Sequence, residues 1–468
     1  MLEDIPDRVK RVLAALSDCG HSAYVVGGAC RDLLSGLVPH DWDVATSATP
    51  HEVEGCLAGR YSLVKQGEKH GTTGVVGHGE DGDWLVEVTT FRTESTYSDG
   101  RRPDKVEFVQ SVEQDLSRRD FSVNAIAVRW PGLDIVDPFG GAADLAKGII
   151  RCVGDPARRF SEDGLRLLRA LRLEAERGWT IEKATYAALV SQSRLLARVS
   201  KERIREEFSR ILVGQSAPRA LRDMVRTGLL ERFIPEFSEA IGLDQRTPYH
   251  KRKLDEHLIE TVSWVRPDLV VRLAALFHDV AKPRTFMLDD VGQGHFYGHN
   301  KAGAEMTAEI LRRLRYDKDT IQRVSLLVRE HMFAYGPIIS DAGVRRLIGR
   351  VGKDNLPDLF DLRRADIIAS GGLPDPLLDH MWERVVRAME GGEPTSAMDL
   401  AVDGDDVMDR TGWAPGPRVG RVLAKLFDLV IEYPEKNQRD LLLGLIESVA
   451  GTIERDEKPD GTERSGAY

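Results

Sequence analysis

The feature that most limits what this chain can fold into is a change of period near residue 150. Before it, short runs rich in Val, Thr and aromatic residues stand between turn signals. Ala23 to Val26, Trp42 to Ala45, Trp84 to Phe91 and Lys105 to Val109 each read as a strand. From Asp155 onward, apolar residues recur at helical spacing almost without interruption. Strands first and helices after predict an α+β chain, with a small mixed or antiparallel sheet followed by a largely all-α remainder. The 468 residues suffice for about three domains. Breaks in the pattern fall near Arg151 and between 242 and 253, and the chain is divided at 1–150, 151–245, 246–370 and 371–453, with a polar tail at 454–468 expected to be disordered. Thr93 to Pro103 carries no periodic apolar pattern and is expected to form a mobile loop.

Composition excludes some classes. There is no run of about 18 apolar residues, so no membrane helix is expected. The N-terminal segment lacks the apolar core of a secretory signal. Cys19, Cys30, Cys56 and Cys152 are scattered with no Cys-x-x-Cys pair, which argues against a thiolate zinc site and a disulfide framework and for a reducing, cytoplasmic setting. The net charge of −10 counts against a nucleic-acid partner until its distribution is considered. Residues 151–232 hold 18 lysines and arginines against 11 acidic residues, a basic stretch inside an acidic chain and a candidate phosphate-binding surface.

Two clusters in the first half carry chemistry. Gly27-Gly28 follows an apolar strand, a short helix (Ala29 to Ser35) comes next, and Asp41-Trp42-Asp43 comes after it. Residues i and i+2 of a strand face one side, so Asp41 and Asp43 would share a pair of Mg²⁺ ions about 4 Å apart. The glycines admit phosphate oxygens to backbone N–H groups, and Arg31 in the following helix would pair with a phosphate. Glu87 is a candidate third carboxylate. The second cluster is RRDFSVNA (Arg118 to Ala125), then DPFGGAADL (Asp137 to Leu145), then SEDGLRLLRALRLEAERG (Ser161 to Gly178). There Ser161 reads as a helix N-cap, and Asp163 and Arg166 are neighbours at helical i,i+3 spacing. A carboxylate beside a guanidinium can match the Watson–Crick edge of a base without a template. Arg169 and Arg172 continue the row.

Taken in order, GG…DxD, RRDFxxNA, DPFGG, EDxxR and KERIREEFSRIL (Lys201 to Leu212) resemble the class II tRNA nucleotidyltransferases of the polymerase-β superfamily over residues 20–215. The resemblance implies a nucleotidyltransferase head at 1–150, a helical neck and RNA-binding region at 151–245, and a helical body and tail. It implies Asp41 and Asp43 as catalytic Mg²⁺ ligands. It also implies Gly28, Arg31, Arg119, Asp163, Arg166, Arg169 and Arg172 as nucleotide-binding positions, with Asp163 and Arg166 reading the base. The expected reaction is addition of CCA to the 3′ end of tRNA from CTP and ATP, releasing pyrophosphate, with the acceptor end held by arginines within 194–226. Bacterial poly(A) polymerases share these head motifs, and enzymes adding only CC or only A remain alternatives.

Past residue 250 a different set of groups appears. His257, His278-Asp279 and Asp366 resemble the ligands of HD-type phosphohydrolases. The resemblance implies a helical HD domain at 246–370 that holds a second divalent metal (Mg, Mn, Ni or Co). His299 and His331 would complete a second metal position. A metal-dependent phosphohydrolase acting on RNA ends or nucleotides is therefore the alternative drawn from another enzyme class.

Overall fold

The computed structural model describes residues 4–39, 41–64, 71–79, 82–95, 105–248 and 251–457. It divides into two compact units: 1–243 with 267–272 and 309–317, and 244–266 and 273–308 with 318–468.

The N-terminal region opens with α1 (Asp7–Asp18), whose Val9, Val12, Leu13 and Leu16 recur at helical spacing and are all buried. Then follow β1 (Ala23–Val26), α2 (Gly27–Leu34), β2 (Asp43–Thr46), α3 (Pro50–Leu57), β3 (Ser62–Val64), β4 (Thr72–Gly79), β5 (Gly82–Thr90), β6 (Arg92–Ser95), β7 (Lys105–Phe108), α4 (Val112–Ser117), β8 (Ala127–Trp130), β9 (Ile135–Val136) and α5 (Gly141–Lys147). Seven strands form one sheet in the order β3-β4-β5-β2-β1-β8-β9. It is mixed: β2 runs parallel to β5, and every other pairing is antiparallel.

Side chains alternate across this sheet. Val25, Val44, Val86 and Val88 pack with α1, α2 and α3 into one core. Tyr24, Val26 and Ala45 face the other way, against Phe91, Leu116 and Val153. Cross-strand partners share a face, and the register pairs Val26 with Asp43 and Asp43 with Glu87. The acidic row therefore lies on the face opposite the three helices.

The helical part begins after β10 (Ile149–Ile150) with α6 (Pro156–Glu162) and α7 (Arg166–Arg177). β11 (Thr180–Ile181) pairs with β10, and α8 (Lys183–Gln192), α9 (Lys201–Val213) and α10 (Ala217–Arg226) follow. Gly214 seats this packing: a Cβ there would lie 2.6 Å from the Ala175 carbonyl oxygen of α7. Further along come α11 (Leu254–Trp264), α12 (Leu269–Phe277), α13 (Lys282–Thr285), the hairpin β12 (Met287–Leu288) and β13 (Gly294–His295), α14 (His299–Arg313), α15 (Lys318–Glu330), α16 (Asp341–Val351), α17 (Leu356–Ala369) and α18 (Pro376–Glu390). The last three helices, α19 (Gly404–Thr411), α20 (Pro417–Glu432) and α21 (Arg439–Glu457), close around Val407, Val422, Leu426, Leu442 and Ile446.

Several local expectations are corrected. Ser161 lies inside α6 and caps nothing; its hydroxyl donates to the Arg158 carbonyl at 2.7 Å. Asp163 is not helical: its backbone is extended (φ −147°), and it separates α6 from α7. Gly164 follows it where there is no room for a side chain: a Cβ there would stand 2.8 Å from the Leu195 carbonyl oxygen. RRDFSVNA forms a turn with one 3-10 segment, Ser122–Asn124. Residues 93–95 belong to β6, and the rest of the expected loop, 96–103, lies outside the described residues. Of the expected tail, 454–457 complete α21 and 458–468 lie outside. Folding also brings Cys19 and Cys56, 37 residues apart, into disulfide contact with Cα atoms 6.3 Å apart, while Cys30 and Cys152 are buried and free. That single link is long-range, so spacing along the chain could not announce it.

Candidate functional sites

The acidic row in the head is built from backbone register. Asp43 opens β2 beside Glu87 of β5. Asp41 lies just outside the strand and is exposed, while Trp42 between them is buried. The Glu87 N–H donates to the Trp42 carbonyl at 3.2 Å, which extends the ladder past the strand end and keeps both aspartates on the Glu87 side. Burial raises the Asp43 pKa; Arg119 opposes this and the Asp41 carboxylate adds to it. Glu87 is raised too, by burial and then by Asp43 and Asp41. Three carboxylates that disfavour each other's charge fit a divalent cation, and one of them, Glu87, also lines a groove of about 320 Å³ with Thr72, Gly74, Val76 and Leu85.

Gly27 is required at its position. Its φ of +70° is left-handed, and a Cβ would stand 2.9 Å from Arg119 Nη1 and 3.1 Å from Asp43 Oδ2. The Arg119 guanidinium and the Asp43 carboxylate thus both flank the glycine turn. Asp115, fully buried, sets that arginine: it takes Arg119 Nη2 at 3.3 Å and Arg118 Nη2 at 2.7 Å. Sequence reasoning missed Asp115, although Asp115 and Arg119 stand at i,i+4. Arg31 is buried and donates from Nη1 to Asn124 Oδ1 at 2.8 Å, with its Nη2 over Gly28, 3.6 Å from where a Cβ would stand. Gly28, Arg31, Arg119 and Asp43 therefore gather around one turn.

The neck positions divide. Asp163 is held by Arg203 of α9, Nη2 to Oδ2 at 2.7 Å and Nη1 to Oδ1 at 3.3 Å. Arg166 Nη1 holds Glu162 Oε2 at 2.5 Å, and its Nη2 donates to the Arg118 carbonyl at 3.1 Å. The pair is three apart along the chain and the Arg166 N–H donates to the Asp163 carbonyl at 3.0 Å, yet each side chain is engaged by another residue and the two side chains are not bonded to each other. Arg169 Nε donates to buried Asp120 Oδ2 at 2.7 Å. Arg172 is brought elsewhere: it is buried between α7 and α9 against Glu207, Nη1 to Oε2 at 3.0 Å, and burial lowers its pKa. Asp120 and Asn124 are buried and bond within the protein.

The second site lies in the other unit. His257, His278, Asp279 and Asp366 converge with ligand atoms within 4.8 Å of one another, and Asp279, His299 and His331 form a second such group. Among the described residues these are the two groups that meet so closely; the head carboxylates do not. The Nδ1 atoms of His278, His299 and His331 lie 2.9, 2.7 and 2.7 Å from the carbonyls of Ala275, Phe296 and Val328. A carbonyl only accepts, so each Nδ1 carries the proton and each Nε2 aims at the centre. Asp279 Oδ1 is buried, accepts no hydrogen bond among the described residues, and faces His299 and His331 Nε2 at 3.2 and 3.6 Å. Burial alone would lower the His278 pKa, but Asp279 and Asp366 outweigh it and push it up to about 10. The two acids thus draw positive charge to the centre, which is what a divalent cation supplies. Lys282, at 2.6 Å from Asp279 Oδ2, adds a fixed cation at the edge.

Family comparisons follow the same divisions. The poly A polymerase head domain matches residues 23–151, a probable RNA-binding site of polymerase A matches 178–241, and the HD domain matches 255–371. The CCA-adding enzyme of Leuconostoc mesenteroides is 34% identical over 444 residues, 92% of this chain and 93% of that protein. That of Lactobacillus helveticus is 33% identical over 96% of this chain and 98% of its own length. Among solved structures, the Bacillus stearothermophilus CCA-adding enzyme in complex with CTP aligns with a TM-score of 0.70 at 27% identity, covering 96% of this chain and 98% of that one. The Thermotoga maritima CCA-adding enzyme complexed with tRNA shares the fold, with a TM-score of 0.59 at 19% identity over 96% and 95% of the two chains.

Proposed function

This chain belongs to the CCA-adding enzymes, and from that premise we propose how its residues divide the work. The enzyme extends the 3′ end of tRNA with CCA, taking CTP and ATP and releasing pyrophosphate. The observation that carries the residue assignment is the row Val26, Asp43 and Glu87 beside the Gly27 turn. Asp41 and Asp43, with Glu87 as third carboxylate, hold divalent cations, for which we propose Mg²⁺. These carboxylates would hold the ions, whose chemistry when bound would be to activate the terminal ribose hydroxyl and to offset charge on the leaving pyrophosphate. Arg119 and Arg31 take the triphosphate at the Gly28 turn, where donors that are already fixed cost no reorganisation. Asp163 and Arg166 read the base, exchanging their bonds to Arg203 and Glu162 for bonds to the nucleotide. Arg169 positions this pair through Asp120. Arg172, with both faces occupied by protein, holds α7 to α9. Arginines within 194–226 carry the tRNA backbone, so affinity falls as salt rises.

As domains we propose a head at 1–150, a neck at 151–245, an HD domain at 246–370 and a C-terminal helical region at 371–453. No helix among the described residues is long and apolar enough to cross a membrane, and we propose a cytoplasmic setting, where tRNA is matured. A second reading applies to the HD domain: a metal-dependent phosphohydrolase acting on RNA ends or nucleotides. It is supported by the three Nε2 atoms aimed at Asp279 and Asp366.

The test is incorporation on a tRNA transcript lacking its CCA, with Mg²⁺ and each labelled nucleotide alone and together. Two C and one A, then arrest, are expected. Arrest after CC, addition of A alone, or a long A tract on unrelated RNA would each replace this assignment.

A further inference from the structure

The short helix α4 is fixed in place by packing. Ser111 caps it, accepting from the Gln114 N–H at 3.3 Å, and its Val112 and Leu116 are buried with Phe91. Asp115 precedes Leu116, and its side chain is fully buried. A buried carboxylate needs partners, and this one has three residues around it. Oδ1 accepts from Arg118 Nε and Nη2 at 3.0 and 2.7 Å and from the Arg92 N–H of β6 at 3.3 Å. Oδ2 accepts from Arg119 Nη2 at 3.3 Å. Burial alone would raise the Asp115 pKa, but Arg118 and Arg119 outweigh it and lower it, so the carboxylate is ionised at neutral pH.

The two oxygens lead to different ends of the nucleotide site. On the Oδ2 side, Arg119 Nη1 stands 2.9 Å from where a Cβ on Gly27 would be, with Asp43 Oδ2 on the same turn. The bond to Asp115 is the one hydrogen bond of the Arg119 side chain among the described residues, and Arg119 Nε is buried there without a partner. Buried donors unspent on protein call for an acceptor, and a guanidinium calls for an anionic one. One carboxylate between two guanidiniums also leaves an excess of positive charge, the sign that a triphosphate requires. On the Oδ1 side, Arg118 is held as a fork, and its Nε also donates to the Arg92 carbonyl at 3.2 Å. The Arg118 carbonyl accepts from Arg166 Nη2 at 3.1 Å. Arg166 thus reaches the head through a residue whose side chain Asp115 fixes.

We propose that Asp115 is a positioning residue that sets triphosphate grip and base choice together: Oδ2 holds Arg119 on the phosphate side, and Oδ1 holds Arg118, whose carbonyl places Arg166 against the base. The proposal rests on the roles given to Arg119 and Arg166 above. Asp115 is buried and acts on the nucleotide only through these two arms. An arginine has many rotamers, and a buried acceptor that fixes two of them beforehand leaves less freedom to lose when the nucleotide binds. The arms have separable consequences. CTP and UTP carry the same triphosphate, so losing the Arg119 arm weakens both alike. They differ in the edge of the base, so losing the Arg118 arm changes their ratio.

The experiment measures steady-state addition by the full chain to tRNA lacking its CCA, with CTP and with UTP, beside melting curves. The proteins are wild type, Asp115→Asn, Arg118→Ala, Arg119→Ala and the double variant Asp115→Asn/Arg119→Ala. Asp115→Asn is expected to raise the KM for CTP about tenfold, to leave the KM for tRNA within about twofold, and to lower the preference for CTP over UTP. Arg119→Ala is expected to raise the KM for both nucleotides and keep the preference, and Arg118→Ala to lower the preference with a smaller change in KM. The double variant is expected to match the KM of Arg119→Ala, because the Oδ2 arm acts through that arginine. Single effects that multiply in the double variant, an unchanged preference in Asp115→Asn, or a KM for tRNA that rises in step with that for CTP overturns the proposal. A wild-type KM for CTP in Arg119→Ala overturns instead the site assignment beneath it, and that single variant reads it alone. If Asp115→Asn melts below the assay temperature, Asp115→Glu carries the comparison: it keeps the charge but shifts it by one methylene, and it is expected to show both losses in smaller measure. Wild-type values of both in Asp115→Glu overturn the proposal.

Discussion

Arg169 of α7 donates to the buried carboxylate of Asp120 at 2.7 Å, and that carboxylate begins a relay into the head. Asp120 Oδ1 takes Asn124 Nδ2 at 3.0 Å, and Asn124 Oδ1 takes Arg31 Nη1 at 2.8 Å. A second strut, Arg177 to Asp32 at 2.7 Å, joins the far end of α7 to α2. The helix that carries Arg166, proposed to read the base, is thereby tied to the helix that carries Arg31, proposed to bind phosphate. A nucleotide gripped as proposed would meet a frame whose two halves are already in register.

Asp120→Asn tests the relay. Burial alone would raise the Asp120 pKa, but Arg169, the Asn124 amide and Arg166 outweigh it and hold it well below the usual carboxylate range. A depressed folded pKa stabilises above the unfolded value of about 3.9 and is lost as pH falls below it. The variant is expected to lose about 2 kcal/mol at neutral pH. It should raise the KM for CTP, and its melting curve should fall less steeply than wild type between pH 5 and pH 3. Parallel curves would remove Asp120 from the acid transition.

Asp41→Ala and Asp43→Ala are expected to abolish nucleotide addition with the fold intact. Removing one of three mutually repelling acids relieves strain in the metal-free protein, so Asp43→Ala should melt no lower than wild type without Mg²⁺. Wild type should gain stability with Mg²⁺ and the variant should not. Near-normal incorporation by either variant would refute the site.

Arg166→Ala is expected to erode the preference for CTP over UTP at least tenfold, because a site built to hydrogen-bond a base discriminates through those bonds. Asp163→Ala should do the same and should also free Arg203. Competition assays with both nucleotides measure this, and an unchanged ratio would sink the base-reading assignment.

Glu174 is buried in α7. Burial and the neighbouring Asp223 raise its pKa to about 8, against the pull of Arg219 at 3.0 Å. The folded state therefore keeps a proton that the unfolded chain releases above about 4.3, so stability is lost as pH rises from there to about 8 and levels off beyond. Glu174→Gln removes this slope. Denaturant midpoints at pH 5, 7 and 9 should show the variant gaining on wild type with pH; the reverse trend would mean the acid is ionised in the fold.

His278→Ala should remove any metal-dependent phosphohydrolase activity of the HD domain while CCA addition continues. Because His278 is fully buried, its melting temperature must be measured alongside. Loss of both activities without a drop in melting temperature would mean the two sites are coupled.

Local chemistry is what the sequence exposed. The Gly27-Gly28 turn, Asp41 and Asp43 two apart at a strand start, and His278-Asp279 depend on neighbours within a few residues, so period and spacing revealed them. Asp163 and Arg166 were legible as a pair but not in conformation: Asp163 is extended between α6 and α7, and the next residue, Gly164, packs against Leu195, 31 positions further on. Arg172 continued the arginine row by spacing, and only the arrival of Glu207 from α9 shows that it is buried. The Asp43–Glu87 register, the Asp120 relay, the Cys19–Cys56 contact and the convergence of His257 on Asp366 all join residues far apart in the chain. Helical and strand periods are set by backbone geometry that each short segment carries in itself. Which distant carboxylate meets which cation is decided by how the helices and the sheet bury their apolar faces, and that is a property of the whole packed chain.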